Sequence, residues 1–183
     1  MMLGRNGGGT VDEGGHRTRR RAPGAVALTV MVALALTAAA CGSSTPTINK
    51  AQAKTDISSA YDSLFHFKTG TLASKEAVIQ NGPSLAGAMG QALASSEASA
   101  SDGATVDTVT FLSTADCSKQ SLPNPCAKVK YDILGTGGTA ILPGNTGYAV
   151  LSNGKWLVAK TTICTLLGLF YTAEGKQGSP PGC

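Results

Sequence analysis

Few residues in this 183-residue chain are equipped for chemistry: two histidines, five cysteines and one tryptophan stand out. Asp62 and His66 lie four apart, close enough on an α-helix to interact, and a carboxylate–imidazole pair in an enclosed site can move protons. The same spacing suits a solvated helix flank, and Tyr61, Leu64 and Phe65 already claim the apolar side of that segment. Gly135, Gly137 and Gly138 in GTGGT resemble a phosphate loop, but the Walker lysine is missing and the dinucleotide spacing is incomplete, so a turn between strands is expected. Trp156 is placed either to stack on a ligand or to plug a core between sheet and helix. No G-x-S-x-G is present, so no catalytic residue is assigned.

Cys41 carries a different chemistry. Upstream lie Arg17, Arg19, Arg20 and Arg21, then the uncharged run AVALTVMVALALT over residues 25–37. A basic region followed by an apolar one is the pattern of a signal peptide. Thirteen helical residues rise about 20 Å, short of the roughly 30 Å hydrocarbon core. Extending the apolar segment from Ala22 to Ala40 gives the alternative, a permanent span. Ala38, Ala39 and Ala40 supply the small side chains that a signal peptidase needs, and Cys41 follows directly, as in a bacterial lipobox. Ala38 stands where lipoboxes usually carry leucine, and ordinary cleavage would cut the same bond and leave a free thiol. Acylation of Cys41 gives that thiol a purpose; with two or more chains, at about 0.8 kcal/mol per buried methylene, the anchor is stable. The three arginines raise twin-arginine export, against which Ala22, Pro23 and Gly24 speak, and a start codon set too early accounts for the extra residues before them.

Removing residues 1–40 removes all five arginines and leaves ten lysines against nine acidic residues, so the chain-wide charge of +4 falls to +1. That balance gives no argument for nucleic acid. Cys117, Cys126, Cys164 and Cys183 remain, an even count that reads as two disulfides in an exported chain. Three pairings are possible. Cys117 with Cys126 and Cys164 with Cys183 are favoured, closing loops of 10 and 20 residues. The loop-entropy model gives them roughly 2.7 and 3.3 kcal/mol. Crossed pairings score higher on that model; the local one is preferred because Pro123, Asn124 and Pro125 fold CSKQSLPNPC back on itself. The cysteine spacings match no usual zinc finger, and His66 is the single histidine after Cys41, so no metal and no cofactor are expected.

The elements that must position these residues follow from periodicity. Residues 41–49 read as a lipidated tether and residues 50–183 as one domain, of a size that supports one core. Ala53, Ile57, Ala60 or Tyr61, and Leu64 predict a helix from Lys50. Ser74 is expected to cap a short helix ending before Gly82, and Ser84 to begin another through Ala100, stopped by Ser101, Asp102 and Gly103. A period of two then sets in, with strands at Val106–Leu112 and Ala127–Ile133 and a hairpin turning at Asn153-Gly154 between Thr146–Leu151 and Lys155–Lys160. TTICTLLGLFY is expected to be a last strand running into a short helix. Helices first and strands later predict an α+β domain, its helices packed on one face of a curved antiparallel sheet.

AYDSLFHF, QNGPSL, AKVKYDIL and GYAVLSNGKWLVAKTTICTLL resemble the mycobacterial and related actinobacterial secreted proteins and lipoproteins of the low-molecular-weight antigen type, over about residues 48–169. The resemblance implies a cystatin-like or NTF2-like α+β fold, a cell-envelope location and no established enzymatic chemistry. The expected function is a lipid-anchored module at the outer face of the cell membrane that binds a protein or an apolar ligand between sheet and helices without catalysis. The alternatives are a small NTF2-like enzyme using Asp62 and His66 in the cone, and a surface antigen or spacer without a ligand.

Overall fold

Asn49 starts the first helix by accepting hydrogen bonds from the Ala51 and Gln52 amides, both at 3.1 Å, which satisfies donors that a helix N-terminus leaves open. The computed structural model describes residues 47–95 and 100–183. The leader, Cys41 and most of the tether lie outside the described residues. Helix α1 (Lys50–Phe65) buries Ala53, Ile57, Ala60, Tyr61, Leu64 and Phe65, the expected three- and four-residue steps. It packs on both edge strands of the sheet, β1 (Ser101–Phe111) and β4 (Lys155–Val158), so the sheet curls around it.

Helix α2 (Leu72–Glu76) is capped by Thr71 rather than Ser74. Thr71 Oγ1 accepts from the Ser74 amide at 3.2 Å while Ser74 Oγ accepts from the Thr71 amide at 2.9 Å, a reciprocal box in which Ser74 is the inner member. Ser84 does not begin a helix either: Pro83 fits a 3₁₀ turn over Gly82–Leu85, and α3 (Ala86–Leu93) follows and stops short of Ala100. A Cβ on Gly82 would overlap the Glu76 carbonyl, so only glycine allows this turn to close on α2. Lys75, 4% exposed, closes the far end of α1 by donating from Nζ to the Ser63 and His66 carbonyls at 2.6 Å each. A cation there satisfies the last carbonyls and opposes the negative end of the helix dipole. Burial lowers the Lys75 pKa from the ordinary lysine value, against the charge of Asp62, which raises it.

Ser101, Asp102 and Gly103 are the first residues of β1, not a stop. Ser101 Oγ donates to the Phe65 carbonyl at 2.6 Å, and Gly103, at φ +133, lies where the strand shifts register as it passes α1. Four strands form an antiparallel meander in the order β1-β2-β3-β4, with β2 at Cys126–Gly135 and β3 at Ala140–Ser152. The hairpin turns where the sequence placed it: Asn153 and Gly154 both take positive φ, 51° and 74°, as a type I′ turn requires. The outer edge of β4 is covered by residues 78–80, because the Val158 amide donates to the Val78 carbonyl and the Gln80 amide to the Val158 carbonyl, both at 2.9 Å. A short covered edge resists pairing with another chain.

The segment expected as a strand running into a short helix is helical throughout, α5 (Lys160–Ala173). The β-branched residues of its first half, Thr161, Thr162, Ile163 and Thr165, favour extended chain, yet Ile163 and Leu167 fall four apart and both are buried on the sheet; packing of that stripe overrides propensity. Thr162 Oγ1 accepts from the Tyr148 amide at 2.8 Å, and Tyr61 Oη donates to the Tyr148 carbonyl at 3.0 Å. Gly147 makes room for this junction: a Cβ there would lie 2.5 Å from Thr162 Cγ2 and 2.7 Å from Tyr61 Oη.

Both expected disulfides are present, Cys117–Cys126 and Cys164–Cys183, with Cα–Cα distances of 5.9 and 5.5 Å. The first closes the short helix α4 (Thr114–Lys119) against β2 and forms a second small core with Leu122, Val150 and Ala159. The fold is therefore α+β, with α1 and its neighbours in the hollow of a curled sheet. Thr45–Cys183 forms one compact unit with its own core and both disulfides, so a chain beginning at Thr45 contains what the fold needs. No helix among the described residues is long and apolar enough to cross a membrane.

Candidate functional site

Between α3, α5, the end of α1 and one end of the sheet lies a cavity of about 490 Å³. The inner wall is made of buried side chains, Leu64 and Phe65 from α1, Met89 from α3, Ile133 from β2, and Ile163 and Leu167 from α5. Phe65 stacks on Tyr131 with ring centroids 5.6 Å apart, and Tyr131 meets Tyr61 at 4.7 Å, so an aromatic cluster backs the wall. The mouth has a different character. Ile141 (47% exposed), Leu142 (41%) and Leu169 (61%) are the large apolar side chains left open to solvent among the described residues, and all three line this cavity. Apolar surface concentrated at one opening marks a binding site more than scattered exposure does.

Polar groups in the lining are already engaged. Ser101 Oγ donates to Phe65, and the Glu174 carboxylate holds the Lys176 ammonium at 2.7 Å. Among the described residues no buried side-chain nitrogen or oxygen lacks a hydrogen-bond partner. The cavity therefore offers mainly hydrocarbon contact, its polar side chains confined to Ser101 and Glu174.

Asp62 and His66 do not line it. Asp62 is exposed and its Oδ1 accepts from the Ala104 amide at 3.2 Å; His66 Nε2 lies 3.4 Å from Asp102 Oδ1. Lys68 Nζ reaches the other Asp102 oxygen at 3.2 Å. Both residues tie the start of β1 to the end of α1, which the spacing alone did not show. Gly135, Gly137 and Gly138 form the expected connection, with Thr136–Gly138 as a 3₁₀ turn between β2 and β3 and Gly137 and Gly138 at positive φ. No group of three or more His, Cys, Asp or Glu that could hold a metal ion occurs among the described residues.

Trp156 is 7% exposed and meets Phe111 edge-on, centroids 5.7 Å apart, in the main core. One edge of the residue reaches a shallower hollow of about 470 Å³ between α1 and the hairpin, remote in lining from the apolar cavity.

The aromatic wall has a pH signature. Burial raises the Tyr61 pKa well above its ordinary 10.0, helped by Tyr131 and opposed by the Thr162 hydrogen bond, and burial pushes Tyr131 up to about 12. In the unfolded chain both phenols lose protons near 10, so their contribution to stability is complete below that value and falls as pH rises above it, for Tyr131 until about 12 and for Tyr61 beyond. Lys75, with its lowered pKa, acts in the opposite sense and gains stability up to its ordinary 10.5. Net loss is therefore expected above that point. At about 1.4 kcal/mol per tenfold difference in proton affinity, Tyr131 alone withdraws roughly 2–3 kcal/mol by pH 12. Urea unfolding followed across the alkaline range checks this, and a flat stability up to pH 12 would contradict the burial of both rings.

Expecting the segment to begin as a strand hides the cavity residues of α5; the three- and four-residue spacing of Ile163, Leu166, Leu167 and Phe170 is the signal for them. Compared with family models, curated proteins and solved structures, the chain matches none.

Proposed function

We propose that this protein is a cell-envelope lipoprotein, held at the outer face of the membrane through acylated Cys41, whose domain is a non-catalytic module that binds an apolar ligand. The observation that carries the binding reading is the cavity with its buried hydrocarbon wall and its open rim of Ile141, Leu142 and Leu169. A filled volume of several hundred Å³ is the usual scale of small-molecule sites. The anchor rests on the sequence around Cys41, and the envelope setting also on the resemblance to the low-molecular-weight antigen type. An enzyme working through Asp62 and His66 would need both to face the cavity, and their partners lie elsewhere.

Two experiments test the two halves. Cys41→Ala is expected to abolish incorporation of labelled palmitate and to release the protein from membranes; label retained in the variant, or absent from the wild type, would refute the anchor. For the cavity, residues 45–183 titrated with N-phenyl-1-naphthylamine should show saturable fluorescence enhancement. Ala92→Phe, which adds a ring to the α3 side of the cavity, should remove that enhancement while keeping the melting temperature. Enhancement unchanged by Ala92→Phe would place the probe elsewhere and reject the cavity as the site.

A further inference from the structure

We infer that the occupant of this cavity is a linear hydrocarbon chain, the tail of an amphiphile whose head remains in water at the mouth. The inference rests on the apolar-ligand reading above and narrows it by shape and chemistry. Along α5 the lining runs from Ile163 to Glu174, eleven residue steps, or about 16 Å at 1.5 Å rise per residue. A lining that continues for that length beside one helix suits an extended chain laid along α5, where a compact ligand would reach only part of it. A volume of about 490 Å³ takes on the order of sixteen methylenes, each close to the ~30 Å³ share of a water molecule.

The chemistry agrees with the shape. Ser101 and Glu174 are the polar side chains of the lining and both are already bonded, so most of the slot offers a ligand's polar atoms no partner in exchange for water. A ligand that inserts only methylenes avoids that cost, and Ile141, Leu142 and Leu169 at the mouth give the first carbons of such a tail an apolar path past the rim. Head groups of different charge should matter little, because the site reads the chain.

The test is competition against N-phenyl-1-naphthylamine on residues 45–183, using saturated alkanoates and the matching 1-alkanols of increasing length, each below its micelle concentration. Binding should strengthen about fourfold per added methylene, the equivalent of ~0.8 kcal/mol, and then level off beyond on the order of sixteen carbons. The two head groups should give parallel series. Pyrene, a rigid polycycle, serves as the shape control. Tighter competition by pyrene than by the long alkanoates, or no dependence on chain length while the naphthylamine still binds, would overturn the linear-chain assignment and leave the apolar site standing. No naphthylamine binding at all would overturn both. Sedimentation supplies the remaining arm: a dimer that Leu169→Glu dissolves would show that a second copy of the chain covers the mouth, and would equally overturn the assignment.

Discussion

Trp156→Ala is expected to lower the stability of the domain by about 3–5 kcal/mol, the usual cost of truncating a buried tryptophan, while leaving apolar-probe binding in place. The indole is 7% exposed, sits on β4 between Leu151 on the neighbouring strand and the Phe111 ring at 5.7 Å, and shares its face with Val158. Removing it opens a void where α1 crosses the sheet, which the short strand β4 cannot close by moving because residues 78–80 hold its outer edge. Against a total of roughly 5–15 kcal/mol for a domain, the variant should melt far lower. A melting temperature near wild type with loss of probe binding would mean that Trp156 serves a ligand and not the core.

The second large effect concerns the tail. After α5 ends, residues 175–183 return along the helix, bury Pro180, and tie Cys183 to Cys164 in its first half. Gly182, at φ +85, lies so close to the 3₁₀ turn that a Cβ would overlap the Ser84 carbonyl. The strap thus fastens one cavity wall, α5, to the segment that leads into another, α3. Replacing both cysteines by serine, Cys164→Ser with Cys183→Ser, is expected to cost roughly 3 kcal/mol by the loop model, within the 2–5 kcal/mol usual for a native bridge of a small secreted domain. For a domain of this size that is on the order of 10 °C in melting temperature. Probe binding should weaken as well, because the walls of the cavity lose their tie. A loss below about 1 kcal/mol would show that packing of Pro180 and Gly182 holds the tail without the bond.

What the sequence revealed and what it hid have physical reasons. Alternating AKVKYDIL became β2, and Asn153-Gly154 became the hairpin turn, because a half-buried strand and a type I′ turn are local demands that residue types answer directly. Local turn chemistry also singled out the two disulfides among three pairings. The first half of α5 reads as strand because propensity and packing disagree there: Thr161, Thr162, Ile163 and Thr165 favour extended chain, and only the buried stripe of Ile163 and Leu167 against the sheet reverses the preference. A concavity between sheet and helices is expected from the sequence, but without α5 as a helix the wall of Ile163, Leu166, Leu167 and Phe170 is missing from it. Ile141 and Leu142 carried no signal of their own, since two exposed apolar residues after a glycine turn are unremarkable until Leu169 is brought beside the same opening. Asp62 and His66 attracted attention by residue type, yet their partners, Ala104 and Asp102, lie some forty positions away in sequence.

Binding in the cavity can be read at a single atom group. Within residues 45–183 Met89 is the sole methionine and Trp156 the sole tryptophan; the first lines the cavity and the second does not. Titrating N-phenyl-1-naphthylamine into protein carrying a methyl-labelled Met89 and a nitrogen-labelled Trp156 indole reports on both places at once. The account predicts a saturable shift of the Met89 methyl resonance with the Trp156 resonance unmoved. A saturable shift of Trp156 with Met89 unmoved, or no shift in either, would contradict it.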